Sequence, residues 1–249
     1  MPDQIASNPI VVVPARMSAT RLPGKPLADI HGEPMIVHVW RRAVEAGVGP
    51  VIVATDAPEI ARAIEAAGGV AVMTGSQHPS GTDRIAEALA RHDPARRHDL
   101  VINVQGDLPT IDSAAVHAVT VPFAEPDVAM TTICAVITRE EEKTAPSVVK
   151  LIGSEISPGR LRCLYFTRAT APTGPGPLLH HIGLYGYRRA VLERLVALPP
   201  SPLEQREKLE QLRALEAGLR IDAMIVDTVP LGVDTPQDLD HARRMLAPR

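Results

Sequence analysis

The chain has 249 residues, of which 45% are hydrophobic and 22% charged, and its formal net charge is −3. A chain of this length can bury the core of one large α/β domain, and its small net charge provides no basic field for nucleic acid. It contains no run of about 18 apolar residues that could span a membrane, and its N-terminus lacks the pattern of a secretory leader. We therefore expect a soluble, cytoplasmic protein that neither binds nucleic acid nor inserts into a membrane.

Strand and helix patterns alternate through the first half of the chain. The predicted strands are Ile10–Val13, Val51–Thr55, Val70–Met73 and Leu100–Val104, and predicted helices start near Pro34, Asp56 and Asp83. Asp56, followed by Pro58 and Glu59, has the spacing of a capping box. Continuous apolar strands separated by amphipathic helices predict an α/β fold with a mostly parallel twisted sheet and helices on both faces.

In the second half of the chain the order of predicted elements changes, with four strand patterns and little helix between them. These strands are Val128–Ile137, Val148–Ile152, Arg160–Phe166 and His181–Tyr187. They predict a small antiparallel excursion at about 128–187 inside a single domain of residues 1–249. Helices are predicted at Arg188–Leu198, Arg206–Ala217 and Pro236–Leu246, with a strand at Arg220–Val226. Thr170–Leu179, rich in Pro and Gly, predicts a mobile loop.

Two cysteines, Cys134 and Cys163, lie in apolar, strand-like segments. Neither has the spacing of a metal site or a histidine partner nearby in the sequence. Cysteines in such segments are typical of buried core positions, so we expect free thiols and no disulfide.

Three cations follow the first predicted strand: Arg16, Arg21 and Lys25. Open α/β sheets bind ligands in the loops after their strands, and cationic side chains there suit a polyphosphate. A solvated basic loop is the alternative. The loop is not a Walker motif, because Lys25 is followed by Pro26, and it lacks the three spaced glycines of a dinucleotide-binding turn. Side chains, not a glycine-rich backbone, are therefore predicted to hold the phosphates.

Ten further segments accompany Arg16 in a recognisable order. They are Thr20–Pro26, Pro34–Val39, Val53–Asp56, Ser80–Arg84, Asn103–Asp107, Leu164–Ala169, His181–Tyr187, Ser201–Glu204, Leu209–Arg213 and Gly232–Pro236. Together they resemble the 3-deoxy-manno-octulosonate cytidylyltransferases, or CMP-Kdo synthetases, of the sugar nucleotidyltransferase superfamily. The resemblance covers about residues 9 to 246, and the blocks at His181 and Leu209 indicate the Kdo branch.

The resemblance implies a Mg²⁺-dependent enzyme with a nucleotide-diphospho-sugar transferase-like fold. Such an enzyme transfers CMP from CTP to the anomeric hydroxyl of 3-deoxy-D-manno-octulosonate (Kdo), releasing pyrophosphate, for lipopolysaccharide biosynthesis. The resemblance also implies a homodimer. Two alternatives are a synthetase for another 2-keto sugar acid, such as sialic acid, and a non-catalytic nucleotide-binding regulator. The His181 and Leu209 blocks argue against the first, and the intact catalytic motifs argue against the second.

Asp107 and Asp234 are the predicted metal ligands. Asp107 follows a buried strand, and Mg²⁺ commonly binds one or two carboxylates together with substrate phosphates. Taken alone, Asp107 fits a turn or a helix cap equally well, and Asp234 fits an ordinary helix start before Thr235 and Pro236. The resemblance implies that both carboxylates bind the metal and that they act in catalysis with Arg16 and Lys25.

The turn Ser80–Arg84 is the predicted base-binding segment. Its backbone groups and hydroxyls can bind a base edge, with Gly81 permitting close approach, although a plain helix cap by Ser80 or Thr82 is the alternative. The resemblance implies that the turn binds cytosine and that Arg84 lies near the nucleotide. The full nucleotide-binding set is Arg16, Arg21, Lys25, Ser80, Gly81, Thr82, Arg84 and Gln105.

A strand from His181 to Tyr187 is predicted to carry part of the sugar site. Even spacing puts His181, Tyr185 and Tyr187 on one face and His180 on the other, so the two histidines cannot form one metal site. A core histidine and a local aromatic core are the alternative. The resemblance implies a sugar site of Arg168, His181, Tyr185, Glu210 and Gln211.

Two of these assignments compete with simpler explanations. Glu210 and Gln211 lie in a segment of helical spacing, where such residues normally face solvent. Arg168 suits the carboxylate of a sugar acid because a guanidinium group matches it in shape.

The chain departs from its relatives at Thr173, where they commonly have Trp in a longer loop, and at Leu108, where many have Glu.

Overall fold

The computed structural model describes residues 7–18 and 21–247, which form two compact units. The second unit is His117–Val229, and the first consists of the described residues on either side of it. The predicted antiparallel region at about 128–187 lies inside the second unit. Thr20, part of the first sequence motif, lies outside the described residues, and the single-domain organisation stays a prediction.

The elements follow one another along the chain with these bounds. The strands are β1 (Pro9–Ala15), β2 (Asp29–Ile30), β3 (Glu33–Pro34), β4 (Val51–Thr55), β5 (Val70–Met73), β6 (Leu100–Asn103), β7 (Met130–Val136), β8 (Lys150–Ser157), β9 (Arg160–Thr167), β10 (Leu179–Arg188) and β11 (Ile221–Ile225). The helices are α1 (Met35–Glu45), α2 (Pro58–Ala66), α3 (Gly81–His92), α4 (Ser113–Ala118), α5 (Glu140–Thr144), α6 (Arg189–Ala197), α7 (Pro202–Glu207), α8 (Gln211–Glu216) and α9 (Pro236–Met245). Short 3₁₀ turns occur at Lys25–Leu27 and Val121–Ala124.

The first unit contains a parallel sheet in the order β5-β4-β1-β6. Ile10–Val13 and Val51–Thr55 are buried at every position. Consecutive residues of a strand point to opposite faces, so continuous burial means that both faces of the sheet are covered. The predicted α/β fold with a mostly parallel sheet is confirmed.

The second unit contains a mixed sheet in the order β10-β7-β11-β9-β8. The pair β7–β11 is parallel, whereas the pairs β7–β10, β9–β11 and β8–β9 are antiparallel. Leu179 and His180 at the start of β10 also pair with Leu151 and Lys150 of β8, so the five strands form a closed circuit of pairings. The predicted antiparallel excursion is confirmed, with β8 extending to Ser157.

Two local predictions are wrong. Asp56 does not cap α2: Ala57 occupies the N-cap without a side-chain bond, and the Asp56 carboxylate instead accepts a hydrogen bond from the buried Arg84. A buried guanidinium needs a counter-charge more than an exposed helix end needs a cap, since water can satisfy the latter.

The predicted helix at Arg206–Ala217 is interrupted. Lys208, in the left-handed conformation with φ 60°, separates α7 from α8. The first of these helices begins earlier than predicted, with Ser201 at its N-cap, and its Glu204 carboxylate binds Arg213 of α8 at 2.5 and 2.8 Å. This bidentate pair stabilises the packing of α7 against α8, which replace the single long helix that was predicted.

The two cysteines are free and buried, as predicted. Burial raises the pKa of Cys134 to about 12 and also raises the pKa of Cys163, so both thiols stay protonated. Within the described residues, no helix is long and apolar enough to cross a membrane.

Candidate active site

A cavity of about 330 Å³ lies in the first unit, at the carboxyl ends of β1 and β6. Ligand sites in open α/β sheets form at this edge because the strand ends and following loops converge there. Nine of the predicted site residues line it: Arg16, Arg21, Lys25, Ser80, Gly81, Arg84, Gln105, Asp107 and Asp234. The structure therefore brings the predicted nucleotide and metal residues together, except for Thr82, which is buried in the first turn of α3 and is not among the lining residues.

Gly106, which the sequence analysis did not select, determines how β6 meets β1. A Cβ atom at this position would lie 2.5 Å from the carbonyl oxygen of Pro14, which is too close for any other residue without a backbone shift. This close approach positions Gln105 and Asp107 beside the loop that follows β1. A glycine two residues after the predicted strand Leu100–Val104 was the available signal.

Lys25 lies between the two predicted metal ligands. Its Nζ atom is 2.9 Å from Asp107 Oδ2 and 2.9 Å from Asp234 Oδ1, and its side chain is 15% exposed. Burial, the largest single influence, lowers the pKa of Lys25, but the combined attraction of Asp107 and Asp234 exceeds it and the pKa is raised. Lys25 therefore stays charged and holds the two carboxylates together.

Arg16 and Arg21 add positive charge at the cavity mouth. Arg21 Nη2 is 2.8 Å from Asp234 Oδ2 at an exposed position. Arg16 is exposed and lines the cavity, and it has no hydrogen-bond or ion-pair partner among residues 7–18 and 21–247. With three cations facing two carboxylates, the cluster has an excess of positive charge, which suits an anionic ligand.

Asp234 owes its position to the packing of α9. Val233, Leu239 and Ala242 form a buried cluster with Ile30 and Met35, which brings the start of α9 beside the loop that carries Lys25. The backbone N–H of Val233 also donates to the carbonyl of Asp107 at 3.0 Å.

Asp234 does not cap α9; Thr235 and Asp238 do. Thr235 is the N-cap of α9, and Asp238 accepts hydrogen bonds from the Thr235 hydroxyl and from the backbone N–H groups of Asp234 and Thr235. Burial alone would raise the pKa of Asp238, but these hydrogen bonds lower it below its ordinary value. The Asp234 carboxylate is therefore available to Lys25 and Arg21.

Ser80 is both a helix cap and part of the cavity wall. It is the N-cap of α3, accepting from the Asp83 N–H at 3.2 Å and donating to Asp83 Oδ2 at 2.7 Å, and it also lines the cavity. Gly81 lies against Pro14, where a Cβ would sit 3.4 Å from the ring. The turn thus forms one wall of the cavity.

His78 also lines the cavity and was missed by the sequence analysis. Its Nε2 is hydrogen-bonded to Glu87, which also accepts the N–H of Gly75 at 2.9 Å. These bonds, led by that from Gly75, lower the pKa of Glu87. The position of His78 two residues before Ser80 was the only sequence signal.

In the second unit, His181 and Tyr185 lie together. Their ring centroids are 5.5 Å apart, and Tyr185 and Tyr187 are 6.0 Å apart, so these residues share a face as predicted, despite a register shift between Ile182 and Tyr185. Burial, with a smaller effect of His180, lowers the pKa of His181 to about 3, and the imidazole is neutral at ordinary pH. Burial, with smaller effects of Tyr187 and Glu210, raises the pKa of Tyr185.

Arg168 is half-buried at the end of β9. Its guanidinium donates to the carbonyl oxygens of Glu207 and Pro146, each at 3.0 Å, while the Glu207 carboxylate accepts from the Arg168 backbone N–H and from Thr167. Carbonyl partners orient the guanidinium without neutralising it. The charge is therefore available to a carboxylate.

The helical pattern alone suggested that Gln211 faces solvent, but the structure shows that it is buried. Its side chain is 3% exposed, and its Nε2 atom has no hydrogen-bond partner in the part of the chain that the structure describes. A buried amide without a partner is unfavourable, so a site that supplies a ligand acceptor is a reason for such a group to exist. Glu210, beside it, is partly exposed and lies near Tyr185.

The donor set in the first unit fits Mg²⁺. Among the described residues no group of three or more His, Cys, Asp or Glu side chains could hold a metal ion. Mg²⁺ needs fewer, because it binds one or two carboxylates and completes its octahedron with phosphate oxygens and water. The oxygens of Asp107 and Asp234 that face Lys25 are hard donors within hydrogen-bond distance of one point, so the residues present suit this ion.

Comparisons with known proteins indicate the family of this chain. The cytidylyltransferase family model matches residues 10–221. The 3-deoxy-manno-octulosonate cytidylyltransferase of Methylobacterium sp. (strain 4-46) is 69% identical over 243 residues, 98% of each chain, and that of Rhodopseudomonas palustris (strain BisA53) is 66% identical over 240 residues, 96% of this chain and 97% of its own.

Among solved structures, a CMP:2-keto-3-deoxy-manno-octonic acid synthetase in complex with CTP is similar, with a TM-score of 0.89 and 40% identity. The match covers 97% of this chain and 99% of the solved one. A UDP-glucose pyrophosphorylase complexed with UDP-glucose is 14% identical with a TM-score of 0.67, a likeness that concerns the fold alone.

Proposed function

Because this chain belongs to the family of 3-deoxy-manno-octulosonate cytidylyltransferases, we propose that it transfers CMP from CTP to the anomeric hydroxyl of Kdo and releases pyrophosphate. The observation that carries the proposal is the cluster of Lys25, Asp107 and Asp234 in a cationic cavity at the carboxyl edge of a parallel sheet. Synthesis of CMP-Kdo for lipopolysaccharide assembly, in the cytoplasm and as a homodimer, is part of the proposal.

The cavity of the first unit binds the nucleotide. Arg16 and Arg21 at its mouth contact the triphosphate, and Lys25 opposes the negative charge that grows on the departing pyrophosphate. Phosphoryl and nucleotidyl transfer depend mainly on positioning and electrostatic stabilisation, so charged side chains on a rigid sheet edge suffice for much of the catalysis. Ser80, Gly81 and Gln105 face the same space and bind the cytidine end.

Asp107 and Asp234 hold Mg²⁺. Bound there, the ion would supply Lewis-acid chemistry and would lower the charge repulsion between the nucleotide and the incoming hydroxyl. The two carboxylates together attract one cation, Lys25, which supports a role in binding Mg²⁺ in its place.

The second unit binds the sugar acid. Arg168 pairs with the Kdo carboxylate, because its guanidinium is oriented by two carbonyls and carries an uncompensated charge. His181, neutral through burial, and Tyr185 contribute hydrogen bonds, and Glu210 and Gln211 contact the sugar hydroxyls. The buried, unpartnered amide of Gln211 supports this assignment.

Measurement of pyrophosphate release tests the proposal directly. The protein is assayed with CTP and Mg²⁺ in the presence of Kdo, of sialic acid or of no sugar acid. Release that depends on Kdo is the expected result. Equal release with sialic acid would favour a different sugar specificity, and CTP binding without any release would favour the regulatory alternative.

A further inference from the structure

We infer that Asp56 and Glu87 are positioning residues for the nucleotide, because they fix the segment Thr74–Pro79, which leads into one wall of the cavity. Asp56 acts through Arg84, whereas Glu87 acts on Gly75 and His78 directly. Neither carboxylate lines the cavity. The inference rests on the proposed function, since it assumes that this cavity binds CTP.

Arg84 is the main tie between α3 and this segment. Its Nη1 atom donates to Thr74 Oγ1 at 2.5 Å and to the Gly75 carbonyl at 3.3 Å, and its Nη2 donates to Asp56 Oδ2 at 3.0 Å. The side chain of Arg84 is 3% exposed. A guanidinium buried to this degree depends on a counter-charge, and Asp56 provides it from the end of β4.

Glu87, one helical turn after Arg84, forms a second tie. Its carboxylate accepts from the Gly75 N–H at 2.9 Å and binds the ring of His78, and Arg91 pairs with it from the solvent side. Arg84 and Glu87 therefore hold the segment at three residues, Thr74, Gly75 and His78. Asp56 contributes by holding Arg84 in place.

The segment has little support of its own. Within the described residues, its backbone forms one hydrogen bond to another backbone group, from the Thr74 N–H to the Thr55 carbonyl at 2.8 Å. Residues 75–79 lie outside helices and strands. A segment held mainly by side chains becomes mobile when those side chains are lost, and a ligand must then order it on binding.

The expected consequence is a loss of nucleotide affinity and not of chemistry. His78 of this segment lines the cavity, and Ser80 and Gly81 follow the segment directly. Lys25, Asp107 and Asp234 belong to other parts of the chain and are expected to keep their positions. Weakening the ties therefore raises the dissociation constant and KM for CTP. It leaves kcat and the KM for Kdo nearly unchanged.

The experiment compares Asp56→Asn, Glu87→Gln and Thr74→Val with the wild-type protein. Glu59→Gln is the matched control, because Glu59 is exposed on the first turn of α2 and its nearest cation, Arg62, is 3.9 Å away. Titration calorimetry with CTP, steady-state kinetics with both substrates and thermal unfolding are measured for each. We expect the dissociation constant for CTP to rise about tenfold in Asp56→Asn and about threefold in the other two, since lost buried hydrogen bonds have effects of this size.

The outcomes separate positioning from general stability. If the variants unfold at lower temperature but bind CTP with wild-type affinity, the inference is overturned. If Asp56→Asn does not fold, Thr74→Val and Glu87→Gln decide by the same criterion. Wild-type protein that binds CTP but releases no pyrophosphate with Kdo would contradict the proposed function alone, while the comparison of dissociation constants would still test the positioning role.

Discussion

Lys25 donates to Asp107 at the carboxyl end of β6, with 2.9 Å between Nζ and Oδ2, and the same nitrogen lies 2.9 Å from Asp234. The ammonium group therefore occupies the space between the two carboxylates that we propose as Mg²⁺ ligands. Mg²⁺ bound to the two oxygens that face Lys25 would compete with the ammonium group for them, because both are cations. If the metal binds there, Lys25 has to move, and the triphosphate is an anionic partner for it.

The first prediction concerns metal binding without nucleotide. Lys25→Ala removes the competing cation, so the protein is expected to bind Mn²⁺, as a spectroscopic substitute for Mg²⁺, more tightly than the wild type in the absence of CTP. Electron paramagnetic resonance of free Mn²⁺ measures this affinity, with Lys143→Ala on the exposed helix α5 as the control. Unchanged affinity in Lys25→Ala would show that Lys25 does not occupy the metal position.

The second prediction concerns turnover in the same cluster. Lys25→Ala and Arg16→Ala are expected to lower kcat by a few hundredfold, since one lost contact to developing charge costs about 2–4 kcal/mol. Steady-state kinetics with CTP varied provides the test. A raised KM for CTP with unchanged kcat would make these residues binding cations only.

The third prediction concerns the two carboxylates. Asp107→Asn and Asp234→Asn are each expected to abolish most turnover, because each removes one charge that holds Mg²⁺. The fold should persist, since both residues lie at the cavity and not in a core. Circular dichroism and turnover across a Mg²⁺ series provide the measurements, and a variant with wild-type rate at limiting Mg²⁺ would exclude that residue from the metal site.

The fourth prediction separates sugar binding from stability at Gln211. Gln211→Met keeps the side-chain volume and removes a buried amide that has no partner among the described residues. The unfolding temperature is therefore expected to stay the same or rise, while kcat/KM for Kdo falls by the equivalent of about 1–3 kcal/mol. CTP affinity, measured by calorimetry, should change by no more than a few fold. Equal losses for both substrates would mean that Gln211 supports the whole site instead of binding sugar.

The fifth prediction concerns pH. Burial lowers the pKa of His181 from 6.5 to about 3, so between these values the unfolded chain binds a proton that the folded protein does not. Acidification through this window therefore destabilises the fold, by roughly 2 kcal/mol for this one group between pH 7 and pH 5. His181→Asn should lose less stability than the wild type over that interval in urea titrations. An identical pH dependence would mean that His181 is not buried as the neutral form.

Several features of this protein follow from local sequence. Runs such as Ile10–Val13 predict buried strands because a strand covered on both faces must be apolar at every position. The cations Arg16, Arg21 and Lys25 lie in the loop that follows β1, and Asp107 lies in the loop that follows β6. A parallel sheet brings the ends of its strands to one edge, so their convergence could be predicted without coordinates.

Other features were decided only by the tertiary structure. The residue that Asp56 binds, the break at Lys208 and the insertion of Lys25 between Asp107 and Asp234 involve groups up to 209 positions apart in the chain. A charged side chain in an unfolded chain is satisfied by water, and local spacing then favours a helix cap for Asp56 and a continuous helix through Lys208. Folding removes water from Arg84 and Lys25, and each is then paired with the carboxylates that packing brings beside it. At Lys208, the left-handed backbone ends one helix, and the pair Glu204–Arg213 joins it to the next.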